Sequence, residues 1–300
     1  MRAVPNRDTP SPAAPEVSAA MSEPAKGNEN KGRSNLTLRL LTAAVTVPLI
    51  LYSLFLPPRW LFPGMVITVC ALGAYELFAM ALPQHAVARA WGIASSLLVC
   101  LVAGGILGPG WIGPTFVLVI CGGLLVTLIR VEPMAGAAAR AAWSIAGPAY
   151  IGGLFGVITL LFRQRHGGEW CVLAMLYAFW SDTAGYFVGR SFGKHKLYVA
   201  VSPNKTIEGS IGGILGALLG SMIAHFWFLP SLGFVAAVLL AIVAAIAGQL
   251  GDLCESLIKR STGVKDSGTL LPGHGGILDR VDALLFTNAA VYLYVTWLGG

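Results

Sequence analysis

The chain has 300 residues, 56% of them hydrophobic and only 11% charged, with a mean hydropathy of +0.73 and a formal net charge of +6. Repeated apolar runs of about 20 residues exclude an ordinary soluble protein, and the lack of alternating segments of about 10 residues excludes a transmembrane barrel. Backbone groups in lipid must then be satisfied within helices, so the expected architecture is an all-α, polytopic transmembrane helical bundle.

Residues 1–34 come first, rich in Pro, Ala, Ser, Asn and charge and without the apolar core of a secretory signal; they are expected to be a disordered cytoplasmic tail. Residues 35–300 form one membrane-embedded domain with nine expected spans, at 36–56, 60–82, 91–107, 113–129, 143–162, 170–189, 209–229, 232–258 and 281–298. The third and fourth are short, which leaves a merged or re-entrant arrangement open. With the N-terminus inside, 17 of the 20 Lys and Arg fall on the cytoplasmic side, and only Arg59, Arg163 and Arg165 lie outside. That asymmetry orients the chain in a cell membrane. Topology and anionic lipid account for the positive charge, and no nucleic acid is expected, because no basic patch is interleaved with exposed aromatics.

The outer loop "FRQRHGGEW", with Arg163, Arg165 and His166, has no functional account. Cys70, Cys100, Cys121, Cys171 and Cys254 form no C-x-x-C pair and read as small buried residues rather than disulfides or metal ligands. "GPGWIG" at 108–113 fits a dinucleotide fingerprint by letter but follows no strand, and "GRSFGK" at 189–194 lacks the hydroxyl residue that completes a P-loop. The first is read as a turn, and the second is discounted as a phosphate loop.

Dense polar sequence lies in three places, all on the cytoplasmic side: "WSDTAGYFVGRSFGKHK", "VSPNKTIEGS", and "GDLCESLIKRSTGVKDSGTLLPGHGGILDRVD". Asp182 precedes Arg190 by eight residues, about 12 Å of helix, and Asp252 precedes Lys259 by seven, about 10 Å, so the two acids share a depth. Helical spacing puts Asp252, Glu255 or Ser256, and Lys259 on one face, and Asp279 and Asp282 arrive at i, i+3 from the ninth span. An acid in a membrane needs a cation, a proton or water, which a structural Asp–Lys pair could supply for one of them. Several acids at one level fit a divalent metal better. Carboxylates without cysteine, with only His195 and His274 in nearby loops, suit a hard ion such as Mg²⁺, with phosphate oxygens from a substrate completing its shell.

The glycines of "PGHGG", Gly273, Gly275 and Gly276, would let backbone N–H groups approach an anion at the start of the ninth helix, among Lys265, His274 and Arg280. In "SPNKT", Ser202 could cap a helix with Pro203 at its first position, which would place Lys205 beside free N–H groups. A helix that simply begins there would look the same. Glu76, near the end of the second span, is either part of this cluster or a snorkelling side chain, and is assigned no role.

The run from Ser256 to Asp282, "SLIKRSTGVKDSGTLLPGHGGILDRVD", resembles the C-terminal motif of the phosphatidate cytidylyltransferases, also called CDP-diacylglycerol synthases; "GDL" at 251–253, "SPNKT" at 202–206 and "SD" at 181–182 resemble the family in the same order. The resemblance extends from about residue 36 to the end. It implies transfer of CMP from CTP to phosphatidic acid with release of pyrophosphate, a requirement for Mg²⁺, and K⁺ as a second cation. By motif match it also implies Asp252 and Asp279 as metal carboxylates, with Asp182 completing the metal site or orienting a lysine. Lys205, Ser256, Lys259, Arg260, Lys265, Asp266, His274, Arg280 and Asp282 would line the nucleotide and phosphate site. A related CTP-dependent lipid enzyme, such as a CDP-archaeol synthase or polyprenol kinase, is the nearest alternative, and a homodimer stays open. A transporter would place its ionisable groups near mid-bilayer on repeated broken helices rather than at one interface.

Overall fold

A computed structural model describes residues 42, 44–268, 270 and 275–298. The expected tail at 1–34 and His274 lie outside the described residues. A short apolar helix, α1 (Ala44–Phe55), is followed by α2 (Leu61–Ala81), α3 (Ala86–Ala103) and α4 (Ile112–Ile129). Next come α5 (Ala137–Pro148), α6 (Leu154–Phe162) and α7 (Gly167–Phe192). A two-stranded ribbon, β1 (Lys196–Tyr198) and β2 (Ser202–Thr206), leads into α8 (Ile207–Trp227), α9 (Phe234–Ser261) and α10 (Leu278–Trp297).

Seven segments are long and apolar enough to cross a membrane, counting Pro109–Ile129 and Ala137–Phe162 as single passes. The chain is therefore a multi-pass helical membrane protein. The expected nine is not reached on this measure: α1 is short within the described residues, and α10 carries Asp279, Arg280 and Asp282 in its first turns. The third and fourth expected spans are separate helices, α3 and α4, joined through a single 3₁₀ turn at Pro109–Trp111, where "GPGWIG" lies.

The pass Ala137–Phe162 is not a uniform α-helix. Pro148 has no N–H to give the ladder, and the five residues after it, Ala149–Gly153, take the wider π register before α6 resumes.

Small residues let α7 and α8 approach closely, as lipid-embedded helices without a hydrophobic drive between them require. A Cβ on Gly209 would stand 2.9 Å from the Gly185 carbonyl oxygen, and one on Gly216 would strike the Trp180 backbone and lie 2.7 Å from Ala184 Cβ. Deeper in, Tyr177 and Ser221 share a 2.8 Å hydrogen bond, and the Ser221 hydroxyl lies 2.8 Å from the Ala237 carbonyl, tying α7, α8 and α9 together. Leu77, Phe78, Phe155, Leu278 and Leu285 complete a core that joins the N-terminal helices to α10.

Two expectations change. Ser202–Thr206 is a strand, paired antiparallel with β1 through Lys196 with Thr206 and Tyr198 with Ser202. Helix α8 therefore starts at Ile207, capped by Thr206, whose hydroxyl oxygen accepts from the Gly209 amide at 3.1 Å, and Ser202 caps nothing. Pro203 sits in a ribbon of only two strands, where an outward N–H needs no partner strand. Among the cysteines, Cys70, Cys100 and Cys171 are buried as expected, but Cys121 and Cys254 are exposed on helix flanks; all five are free thiols.

Helices α7 and α9, of 26 and 28 residues, are about 39 and 42 Å long, which exceeds a hydrocarbon thickness of about 30 Å. Their C-terminal turns, with the ribbon and the first turn of α10, gather at one end of the bundle. Gly216→Ala is expected to lower stability by about 1–3 kcal/mol through overpacking, whereas Gly113→Ala, with nothing within 4 Å of the new methyl, should leave it unchanged. Thermal unfolding in detergent checks this contrast, and equal melting temperatures for the two variants would contradict it.

Candidate active site

The C-terminal half of α7, the ribbon, the first turn of α8 and the late turns of α9 enclose a cavity of about 500 Å³. Asp182 on α7 and Asp252 on α9 both line it, and so does Lys205 at the end of β2. Lys205 Nζ stands 2.5 Å from Asp252 Oδ2, each side chain a little over a quarter exposed. The ribbon explains how a lysine in a loop reaches an acid on a helix. Pairing Lys196 with Thr206 fixes the strand that carries Lys205, and the Thr206 cap fixes the helix that follows.

Polar neighbours refine the wall. The Ser210 hydroxyl donates to Gln249 Oε1, and Gln249 Nε2 returns a 3.0 Å bond to the Ser210 carbonyl, so α8 and α9 are latched beside Asp252. Ser256 Oγ donates to Asp252 Oδ1 at 3.3 Å from one turn further along α9. Arg190 lines the cavity with its guanidinium turned to the Tyr186 hydroxyl at 2.8 Å.

A second polar cluster lies on the α10 side of α9. Lys259 forms an ion pair with Glu255, one turn back, and its Nζ donates to Asp279 Oδ1 at 2.6 Å. Glu255 is fully buried, and its carboxylate oxygens have no hydrogen-bond partner among the described residues apart from this ammonium. Asp279 Oδ2 accepts from the Ser267 and Gly276 amides and lies near the Ser267 hydroxyl, each at 3.0 Å. Asp282, 9% exposed, accepts from the Ala283 amide at 2.8 Å.

Placed against expectation, Asp182, Asp252 and Lys205 come together around the cavity, with Ser256 beside them. Asp279, expected with Asp252 as a metal carboxylate, belongs instead to the second cluster, where both of its oxygens are engaged. Among the described residues no group of three or more acids, histidines and cysteines is placed to hold a metal ion. Arg260 turns to the Val264 carbonyl at 3.2 Å, closing the end of its own helix, while Lys265, Asp266 and Arg280 are exposed. His195 contacts Glu208 at 2.7 Å as a ribbon-to-helix clasp.

The sequence reading passed over one residue that the fold makes central. Glu76 on α2 is only 2% exposed and accepts from the Ser267 hydroxyl at 3.0 Å and from the Ile277 and Leu278 amides at 3.0 and 2.9 Å. The signal available was the expense of a lone acid in a 21-residue apolar helix, which demands donors from elsewhere in the protein. Of the "PGHGG" glycines, Gly273 lies outside the described residues, and Gly276 gives its amide to an anion of the protein's own: Gly276 N–H meets Asp279, and the next two amides meet Glu76.

A profile of the cytidylyltransferase family matches residues 37–298. A phosphatidate cytidylyltransferase of Brucella suis biovar 1 is 35% identical over 270 residues, which is 87% of this chain and 93% of that protein. The protein of the same name from Staphylococcus haemolyticus is 44% identical over 146 residues, 49% of this chain and 55% of its own length. That from Bacillus subtilis is 43% identical over 129 residues, 43% of this chain and 48% of its own. In the latter two matches the chain spans about half the length of the relative.

Lys259→Met should destabilise the protein by about 3–5 kcal/mol, because it strands the buried Glu255 carboxylate. Adding Glu255→Gln should recover much of that loss. Detergent melting curves of the single and double variants test this, and a double variant no more stable than the single one would contradict the pairing.

Proposed function

Because the chain belongs to the cytidylyltransferase family, we propose that it transfers CMP from CTP to phosphatidic acid, producing CDP-diacylglycerol and pyrophosphate. The observation that carries this reading is the meeting of Lys205 with Asp252 at the wall of a cavity that Asp182 also lines. Motif residues about 50 positions apart in sequence thereby form one polar chamber at the end of a lipid-embedded bundle.

The chemistry asks for little acid–base help. A phosphatidate oxygen attacks the α-phosphorus of CTP, the bond from that phosphorus to the bridging oxygen of the β-phosphate breaks, and pyrophosphate leaves. The attacking oxygen is already anionic, so no strong base is required. Repulsion between two phosphorylated reactants is the main obstacle, and positioned cations are the remedy. Lys205 would exchange part of its pairing with Asp252 for a substrate phosphate, and Arg190 and Asn204, also on the wall, would add donors. Lys259 would hold the α9–α10 side of the site in place through Asp279.

Magnesium is part of the proposal. Asp182 and Asp252 offer hard oxygen donors to the cavity with no cysteine or histidine in its lining, a donor set that fits Mg²⁺ with substrate oxygens completing the shell. The ion would supply charge neutralisation for the departing pyrophosphate. Asp279 would join it only where Lys259 releases Oδ1. A second cation such as K⁺ is carried in the proposal without residues of its own.

Location follows the same logic. With the N-terminus inside a cell membrane, the cavity opens toward the cytosol, the source of water-soluble CTP, while phosphatidate reaches it from the bilayer.

Purified protein in detergent with labelled CTP, phosphatidate and Mg²⁺ should incorporate CMP into lipid and release pyrophosphate. Asp252→Asn should lower the rate by about 100-fold or more while leaving the protein folded. No incorporation by the wild type, or a variant within a few-fold of it, would overturn the reading.

A further inference from the structure

We propose that Glu76 is a positioning residue for the transfer reaction: from α2 it holds Ser267 and the opening of α10 so that Asp279 presents its carboxylate to Lys259. The inference rests on the catalytic reading above for its kinetic consequence, but its geometry stands alone.

Helix α10 opens with Ile277 at its N-cap and no side chain of its own capping it. Its first amides are nevertheless satisfied, because Glu76 Oε1 accepts from Ile277 N–H at 3.0 Å and Oε2 from Leu278 N–H at 2.9 Å. The cap is therefore supplied across about 200 residues of sequence, and a negative charge is placed at the positive end of the helix. At 2% exposure, Glu76 depends on those donors as much as they depend on it.

Ser267 carries the effect to the site. Its hydroxyl lies 3.0 Å from Glu76 Oε2 and 3.0 Å from Asp279 Oδ2, and it accepts from the Asp279 amide at 3.3 Å. With one proton, it donates to one carboxylate at a time and bridges the two. Asp279 Oδ1 then engages Lys259, which also pairs with Glu255. The relay Glu76–Ser267–Asp279–Lys259–Glu255 links α2, the loop, α10 and α9.

Gly268 and Gly276 lie close against this carboxylate. A Cβ on Gly268 would come within 2.6 Å of Glu76 Oε1; one on Gly276 would strike the Ser267 hydroxyl and lie 2.7 Å from Glu76 Oε2. Gly275 adopts φ +83°, a left-handed conformation suited to glycine, which turns the chain into that contact. Removing the Glu76 charge should therefore shift Asp279 and Lys259 rather than unfold the bundle, and a displacement of about 1 Å in a reacting constellation lowers turnover by about 100-fold.

The test uses the full chain in detergent micelles containing phosphatidate. In Glu76→Gln the amide NH₂ must face the Ile277 or Leu278 N–H, so hydrogen exchange at 276–279 should quicken without any substrate present. The kcat should fall by about 100-fold, with KM for CTP changed by no more than about threefold. Ser267→Ala should give a similar kcat loss, and the double variant should be no worse than the poorer single one. Wild-type exchange at 276–279, unchanged kcat in folded Glu76→Gln, or fully additive losses would each overturn the proposal. Should Glu76→Gln fail to insert, Ser267→Ala decides, and wild-type kcat there overturns it. If the wild type shows no transferase activity, the reaction assignment fails, while the exchange measurement still decides the latch.

Discussion

A buried carboxylate inside a lipid-embedded bundle must draw its donors from the protein, and this end of the molecule is organised by that constraint. Lys259 lies between Glu255 and Asp279, giving one cation to two acids. Asp279 supplements it with the Ser267 and Gly276 amides, and Glu76 takes the opening amides of α10. Each of these acids is tolerable because the protein brings it a donor, from the same helix for Glu255 and from other segments for Asp279 and Glu76. The positions of Ser267 and of the first turn of α10 thus follow from where the charges can be satisfied.

The same constraint separates two roles that look alike in composition. In the second cluster both oxygens of Asp279 are engaged by the protein, and the buried Glu255 relies on Lys259 among the described residues. Asp252 pairs with Lys205 and accepts a hydroxyl from Ser256, and with Asp182 it faces an open cavity. Electrostatic capacity there is available to a phosphorylated ligand, and exchange of the Lys205 pairing is the simplest way to use it. Positioned cations in a partly desolvated chamber are worth more than the same cations in water, which suits a reaction dominated by repulsion.

Much of this was legible in the residues. Apolar run length marked the membrane passes, and the i, i+3/i+4, i+7 spacing correctly set Asp252, Glu255 or Ser256, and Lys259 along one helix face. Spacing cannot say which neighbour faces that side chain, so Asp252 and Asp279 were grouped when the fold gives them different partners. Ser202 carried every local sign of a helix cap, yet pairing with Tyr198 makes it part of a strand, a tertiary choice over a local preference. The span at 143–162 was read as uniform, and the π register that follows Pro148 is a property of the packed helix. Glu76 was visible as an isolated acid, and its partners, about 200 residues away, were not.

The central claim is that the chamber between the ribbon and α9 receives the nucleotide. The most direct measurement is amide hydrogen exchange across the chain with and without CTP and Mg²⁺. Protection should rise in β2 and the first turn of α8, residues 202–210, and in α9 near 249–256, with the opposite end around 104–112 unchanged. Protection confined to other segments, or no change on adding CTP, would contradict the account.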